Sequence, residues 1–171
     1  MDYLGNTELL AMPKTAFLAS STIPPDVVLR CYDWATGEHE GCVVSGFSSR
    51  LEQDVLHFLL KAQTPVIVVL ARRMYREIPA ELKEALEQGR VLILSLSSAT
   101  RQSKATALSR NKYICEQADN IIFVGVTPSS SLYTLEEEYG SKKLHLKEAG
   151  HEVYDFRNPP SPSSASSAVK T

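Results

Sequence analysis

Cys42-Val-Val-Ser45-Gly46-Phe47-Ser48-Ser49-Arg50-Leu51-Glu52 decides the fold. A short apolar run enters a Ser/Gly turn, and the turn leads into residues with helical periodicity: Leu51, Val55, Phe58, Leu59 and Ala62. A strand–turn–helix junction of this kind aims backbone N–H groups and the positive end of a helix dipole at one point beyond the strand, a place suited to an anion such as phosphate. Ser49 is a natural N-cap there, with Glu52 as its capping-box partner.

Outward from that junction, strand-like and helix-like stretches alternate. Thr15–Ala19, Cys42–Ser45, Pro65–Ala71, Val91–Leu96 and Asn120–Val126 are apolar runs without period-two polarity, as expected of strands covered on both faces. Between them, Pro24–Glu38, the Leu51–Ala62 stretch, Pro79–Gln88 and Thr106–Gln117 read as helices. Leu132–Ala149 reads as a last long helix and His151–Phe156 as a last short strand. The pattern predicts an α/β fold, Rossmann-like and doubly wound, with a mostly parallel sheet and helices on both faces. Residues 1–13 read as an N-terminal extension with a helical Thr7–Met12, residues 14–157 as the Rossmann-like domain, and residues 158–171 as a disordered Ser/Pro-rich tail.

Ligands of such sheets bind beyond the carboxyl ends of the strands. Those ends carry Ser20-Ser21, Ser45-Gly46, Arg72-Arg73, Ser97-Ser98 and Thr127 to Ser131, so small hydroxyl residues stand at four of the five. A second cluster, Ser109-Arg110-Asn111-Lys112, lies in the helix before the last of these strands. The predicted phosphate- or nucleotide-binding set is therefore Ser20, Ser21, Ser45, Gly46, Ser48, Ser49, Arg110, Asn111, Lys112, Ser130 and Ser131. Arg110 is the expected phosphate partner, Asn111 a brace for the loops, and Arg101 with Lys104 an extension of the basic track.

Composition narrows the classes. The 171 residues carry 18 Lys+Arg against 20 Asp+Glu, a formal net charge of −2, which excludes a surface that is basic throughout. Nucleic acid would have to meet a local cluster, and its binding would be salt-sensitive. Cys31, Cys42 and Cys115 form no CxxC pair and sit in apolar settings, as reduced thiols of a cytoplasmic protein do. No apolar run reaches the ~18–20 residues of a membrane helix, the four histidines show no metal-ligand spacing, and the residues imply no cofactor.

Four segments carry a resemblance to a known family. Ser45-Gly46-Phe47-Ser48-Ser49-Arg50-Leu51-Glu52 is similar to the SGGARGID turn of the DNA-processing protein A (DprA, or Smf) family. Tyr75-Arg-Glu-Ile-Pro79, with Leu82 and Gly89, resembles its YP…L…G stretch; Ser109-Arg110-Asn111-Lys112-Tyr113-Ile114 resembles its RNRxI helix; Ser129-Ser130-Ser131-Leu132 stands where that family has SGSL. Order and spacing agree from about residue 14 to 135. The resemblance implies a Rossmann-like domain that binds single-stranded DNA without catalysis, often as a homodimer, and delivers it to a recombinase in natural transformation. This sequence departs from the pattern in lacking an arginine after the first strand (Ala19-Ser20-Ser21), in Phe47 for a glycine, and in Lys112 for the second arginine.

Two alternatives stand beside that reading. Ser130-Ser131-Leu132-Tyr133-Thr134-Leu135-Glu136-Glu137 faintly resembles the PGGxGTxxE motif of the lysine-decarboxylase-like nucleotide phosphoribohydrolases, in which Glu137 would assist N-glycosidic cleavage. A nucleotide-ligand sensor with no nucleic-acid partner fits the slightly acidic balance.

Overall fold

The computed structural model describes residues 1–146. Among the described residues, six strands form one sheet: β1 Asp2–Gly5, β2 Lys14–Ala19, β3 Cys42–Ser45, β4 Val66–Leu70, β5 Val91–Ser95 and β6 Asn120–Val124. The helices are α1 Pro25–Thr36, α2 Arg50–Lys61, α3 Ala80–Glu87, α4 Lys104–Gln117 and α5 Tyr133–Glu138. Strand order is β1-β5-β4-β3-β2-β6. β2 through β6 are parallel, and β1 alone runs antiparallel, against β5. The expected mostly parallel α/β architecture is what the chain adopts.

Alternate residues of each strand feed two cores. Phe17, Val43, Val68 and Ile93 join Cys31, Trp34, Val55, Leu59 and Leu82 on the face that α1, α2 and α3 cover. Ala16, Leu18, Val44, Val69 and Leu94 join Ile114 and Cys115 from α4, Leu135 from α5 and Leu132 just before it on the other. Fully buried strands on both faces explain why these segments read as unbroken apolar runs.

The chain lays β2, β3, β4 and β5 outward in one direction. It then returns through α4, which packs across β2, β3 and β4, and places β6 on the far side of β2. Strand order therefore reverses between β2 and β6, and a crevice opens beyond their carboxyl ends.

Three segments differ from the sequence expectation. Asp2–Gly5 is an edge strand, and the helical piece beside it is a single 3-10 stretch, Thr7–Ala11, whose Leu9 is buried against the sheet; residues 1–13 are thus part of the sheet's packing. The expected Leu132–Ala149 helix is cut short. α5 stops at Glu138, Gly140–Lys142 forms a 3-10 turn, and the Leu144 N–H donates to the Ile121 carbonyl at 2.8 Å. Half-buried Leu144 and Leu146 pack on the first core, so returning the chain to the edge of β6 outweighs continuing a helix through Gly140. The remainder of that segment, the His151–Phe156 strand and the 158–171 tail lie outside the described residues.

Candidate nucleotide-binding cleft at the strand reversal

A cleft of about 490 Å³ lies at this reversal, lined by the ends of β2 and β6, the β3–α2 turn and the inner side of α4. Its size suits a nucleotide.

The β3–α2 turn is built from local rules. Ser45 is fully buried, and its hydroxyl accepts from the Phe47 N–H at 3.1 Å. Phe47 takes φ 47°, the left-handed region, at a strain of about 1–2 kcal/mol; its ring is buried in the first core, which holds it there. This is the position at which the resembled motif has a glycine. Ser49 then caps α2: its hydroxyl accepts from the Glu52 N–H, and the Glu52 carboxylate accepts from the Ser49 N–H, the predicted capping box.

Glu52 does more than close that box. Its Oε1 accepts from the N–H groups of Ser48 (3.0 Å) and Ser49 (3.2 Å), and its Oε2 accepts from the Ala19 N–H at the end of β2 (2.9 Å). The carboxylate is 5% exposed and ties two strand ends together. The anion at this helix start is the chain's own, where the sequence reading expected a ligand phosphate.

Arg110 answers it from α4. The side chain is 3% exposed. Its Nε donates to Asn111 Oδ1 (2.8 Å), Nη2 to Ser48 Oγ (3.2 Å) and Nη1 to the Val69 carbonyl (3.4 Å). Burial pulls the guanidinium pKa down, and the Glu52 charge pushes it back up. Gly46 exists to let this arginine pass: a Cβ there would stand 2.2 Å from Nη1. Asn111 braces the arginine, accepting from its Nε.

The opposite wall comes from β2 and β6. Ser20 and Ser130 share a hydrogen bond at 2.6 Å, Ser130 Oγ also accepts from the Leu132 N–H, and Thr127 and Ser129 share one at 3.0 Å. Ser20, Ser21, Ser48, Ser49, Arg110, Asn111, Ser130 and Ser131 therefore meet around one space, although they come from four separate segments. Ser45 and Gly46 lie beneath it, and Lys112 is exposed outside it. Sequence reasoning missed Thr22 and Gln102, which also line the cleft; Gln102 sits between the strands and helices that carry recognisable signals. Arg101 and Lys104 are exposed and stand one and two positions from the cleft-lining Gln102 in sequence. Glu137 is exposed, outside the cleft lining, and interacts with the Tyr133 hydroxyl.

Among the described residues no cluster of three or more His, Cys, Asp or Glu side chains could hold a metal ion, and no helix is long and apolar enough to cross a membrane.

No protein-family model and no curated protein sequence matches the chain. Solved structures do. DNA processing protein A from Streptococcus pneumoniae superposes with a TM-score of 0.67 at 23% identity, covering 84% of this chain and 53% of that one. DNA processing protein A from Helicobacter pylori, a structure that concerns single-stranded DNA binding, gives 0.65 at 19% identity, covering 84% and 69%. The molybdenum cofactor binding protein from Rippkaea orientalis gives 0.50 at 12%, covering 93% and 96%. The fold is thus a DprA-like Rossmann domain, and the chain spans about half the length of the S. pneumoniae protein.

Proposed function

We propose that this domain binds nucleotide units, most naturally those of single-stranded DNA, in the cleft between β2 and β6. The observation that carries the reading is the convergence of hydroxyl-bearing strand ends on a nucleotide-sized space at the reversal of strand order. The DprA-like fold, and the DNA-binding mode described for the H. pylori protein, support nucleic acid as the ligand. Arg101 and Lys104, exposed and next to the cleft-lining Gln102 in sequence, are the cations proposed to meet phosphates. Catalysis is no part of the proposal, since Glu137 stands outside the cleft. A cytosolic setting is supported by three buried free thiols. A role in DNA processing beside a recombinase, and a homodimeric state, rest on the family resemblance.

Fluorescence anisotropy with labelled oligo-dT tests it. Binding is expected at low salt, weaker as salt rises, and reduced at least about tenfold in the Arg101→Ala/Lys104→Ala double variant, with a shallower salt slope. Lys112→Ala, outside the cleft, should bind as wild type does. Absence of binding at low salt would remove the nucleic-acid reading. The sensor reading is favoured by the net charge of −2 and predicts a thermal shift with free nucleotides but no affinity for oligo-dT.

A further inference from the structure

We infer that the floor of the cleft receives the uncharged nucleoside part of the ligand and turns phosphate away. This rests on the nucleotide reading above and assigns the orientation within it.

Glu52 and Arg110 are the charged side chains that line the cleft, and their formal charges cancel. The Ser48 and Ser49 N–H groups, which face the cleft just before α2, are bonded to Glu52. Three of the arginine's N–H groups are directed at Asn111, Ser48 and Val69, and the side chain is nearly inaccessible. A phosphate at the floor would therefore face a buried carboxylate and gain no net counter-charge.

What stays open is of mixed character. Glu52 Oε2 accepts one bond, from Ala19, and keeps a lone pair. Asn111 uses its carbonyl on Arg110, which leaves its amide N–H groups to donate. The Ser21 hydroxyl has no protein partner among the described residues and can do either. Ala19, Ala107 and Leu132 supply small apolar walls. Alternating donors and acceptors between apolar walls match a sugar hydroxyl or a base edge, each of which both gives and takes hydrogen bonds. Phosphates then lie outward, towards Arg101 and Lys104.

Competition against labelled oligo-dT distinguishes the orientations. Thymidine should displace the oligonucleotide, and inorganic phosphate at the same concentrations should not. Any advantage of thymidine monophosphate over thymidine should vanish in Arg101→Ala/Lys104→Ala. Glu52→Gln leaves Arg110 without its counter-charge, so this variant, shown to be folded by its melting transition, should gain about tenfold or more in affinity for inorganic phosphate. Displacement by inorganic phosphate as effective as by thymidine, or a monophosphate advantage that survives removal of both rim cations, would overturn the orientation and leave the nucleotide reading standing. If neither oligo-dT nor thymidine binds, both fall. The wild-type competition decides the matter even if Glu52→Gln does not fold.

Discussion

Replacing Glu52 by alanine removes the carboxylate that joins β2 to the β3–α2 turn, and the structure sets the size of the effect. Three N–H···O bonds of 2.9, 3.0 and 3.2 Å disappear. Ser48 is exposed and Ser49 half-buried, so their amides can turn to water, whereas the Ala19 amide cannot. A buried donor left unsatisfied costs about 1–3 kcal/mol. Arg110, 3% exposed, also loses a nearby opposite charge; the two side chains do not meet as an ion pair, so this adds only about 1–2 kcal/mol. The two terms overlap, so the expected loss is about 3 kcal/mol in all. With a urea m-value of ~2 kcal/mol/M, the unfolding midpoint should fall by about 1.5 M at unchanged slope. Arg110→Met in the same background should restore part of the stability, giving a coupling of about 1 kcal/mol in the double-mutant cycle. A loss below about 1 kcal/mol, or strict additivity of the two substitutions, would refute the view that the cleft floor is held by this pair.

Gly46→Ala places a methyl 2.2 Å from Arg110 Nη1 and should cost about 2 kcal/mol by overpacking, read as a lowered midpoint in urea. Ser21→Leu introduces bulk where the cleft is open and the side chain bonds to nothing among the described residues, so oligo-dT affinity should drop about tenfold or more with little change in melting temperature. Burial pushes the thiol pKa from 9.0 up to about 12 at Cys31 and Cys115 and to about 11 at Cys42. The native state therefore retains thiol protons that the unfolded chain releases above about pH 9, so these groups make stability fall as pH climbs from 9 towards 12. Urea titrations across that range check the sign. A thiol-reactive dye at pH 8 should label the unfolded chain and leave the native one unmodified.

The parallel sheet was legible because strands buried on both faces leave long runs such as Pro65–Ala71 in the sequence. β1 was not: Asp-Tyr-Leu-Gly is exposed throughout, and its pairing with β5 spans some ninety residues that no local pattern reports. α5 was overextended because Leu135, Glu136 and the lysines beyond read as helical, while the pull of the β6 edge on Lys143 and Leu144 is tertiary. At the cleft, the turn, its capping box and the hydroxyl-rich strand ends were visible. The reach of Glu52 to the Ala19 amide was not, because a capping residue's second oxygen can serve a strand 33 positions away without any trace in the spacing. Arg110 was recognised as a cation, but its burial depends on Gly46 and Val69, two strands apart from its own helix.

The antiparallel pairing of Asp2–Gly5 with Val91–Ser95 has a consequence for handling the protein. β5 is buried along its whole length, and the short ribbon beside it is what shields that flank from other molecules. Trimming the first five residues would bare a row of unpaired amides and carbonyls on an aliphatic strand, the kind of border along which chains stack. Such a truncated form should clump at concentrations the full sequence tolerates, with the cleft, at the other margin of the sheet, undisturbed.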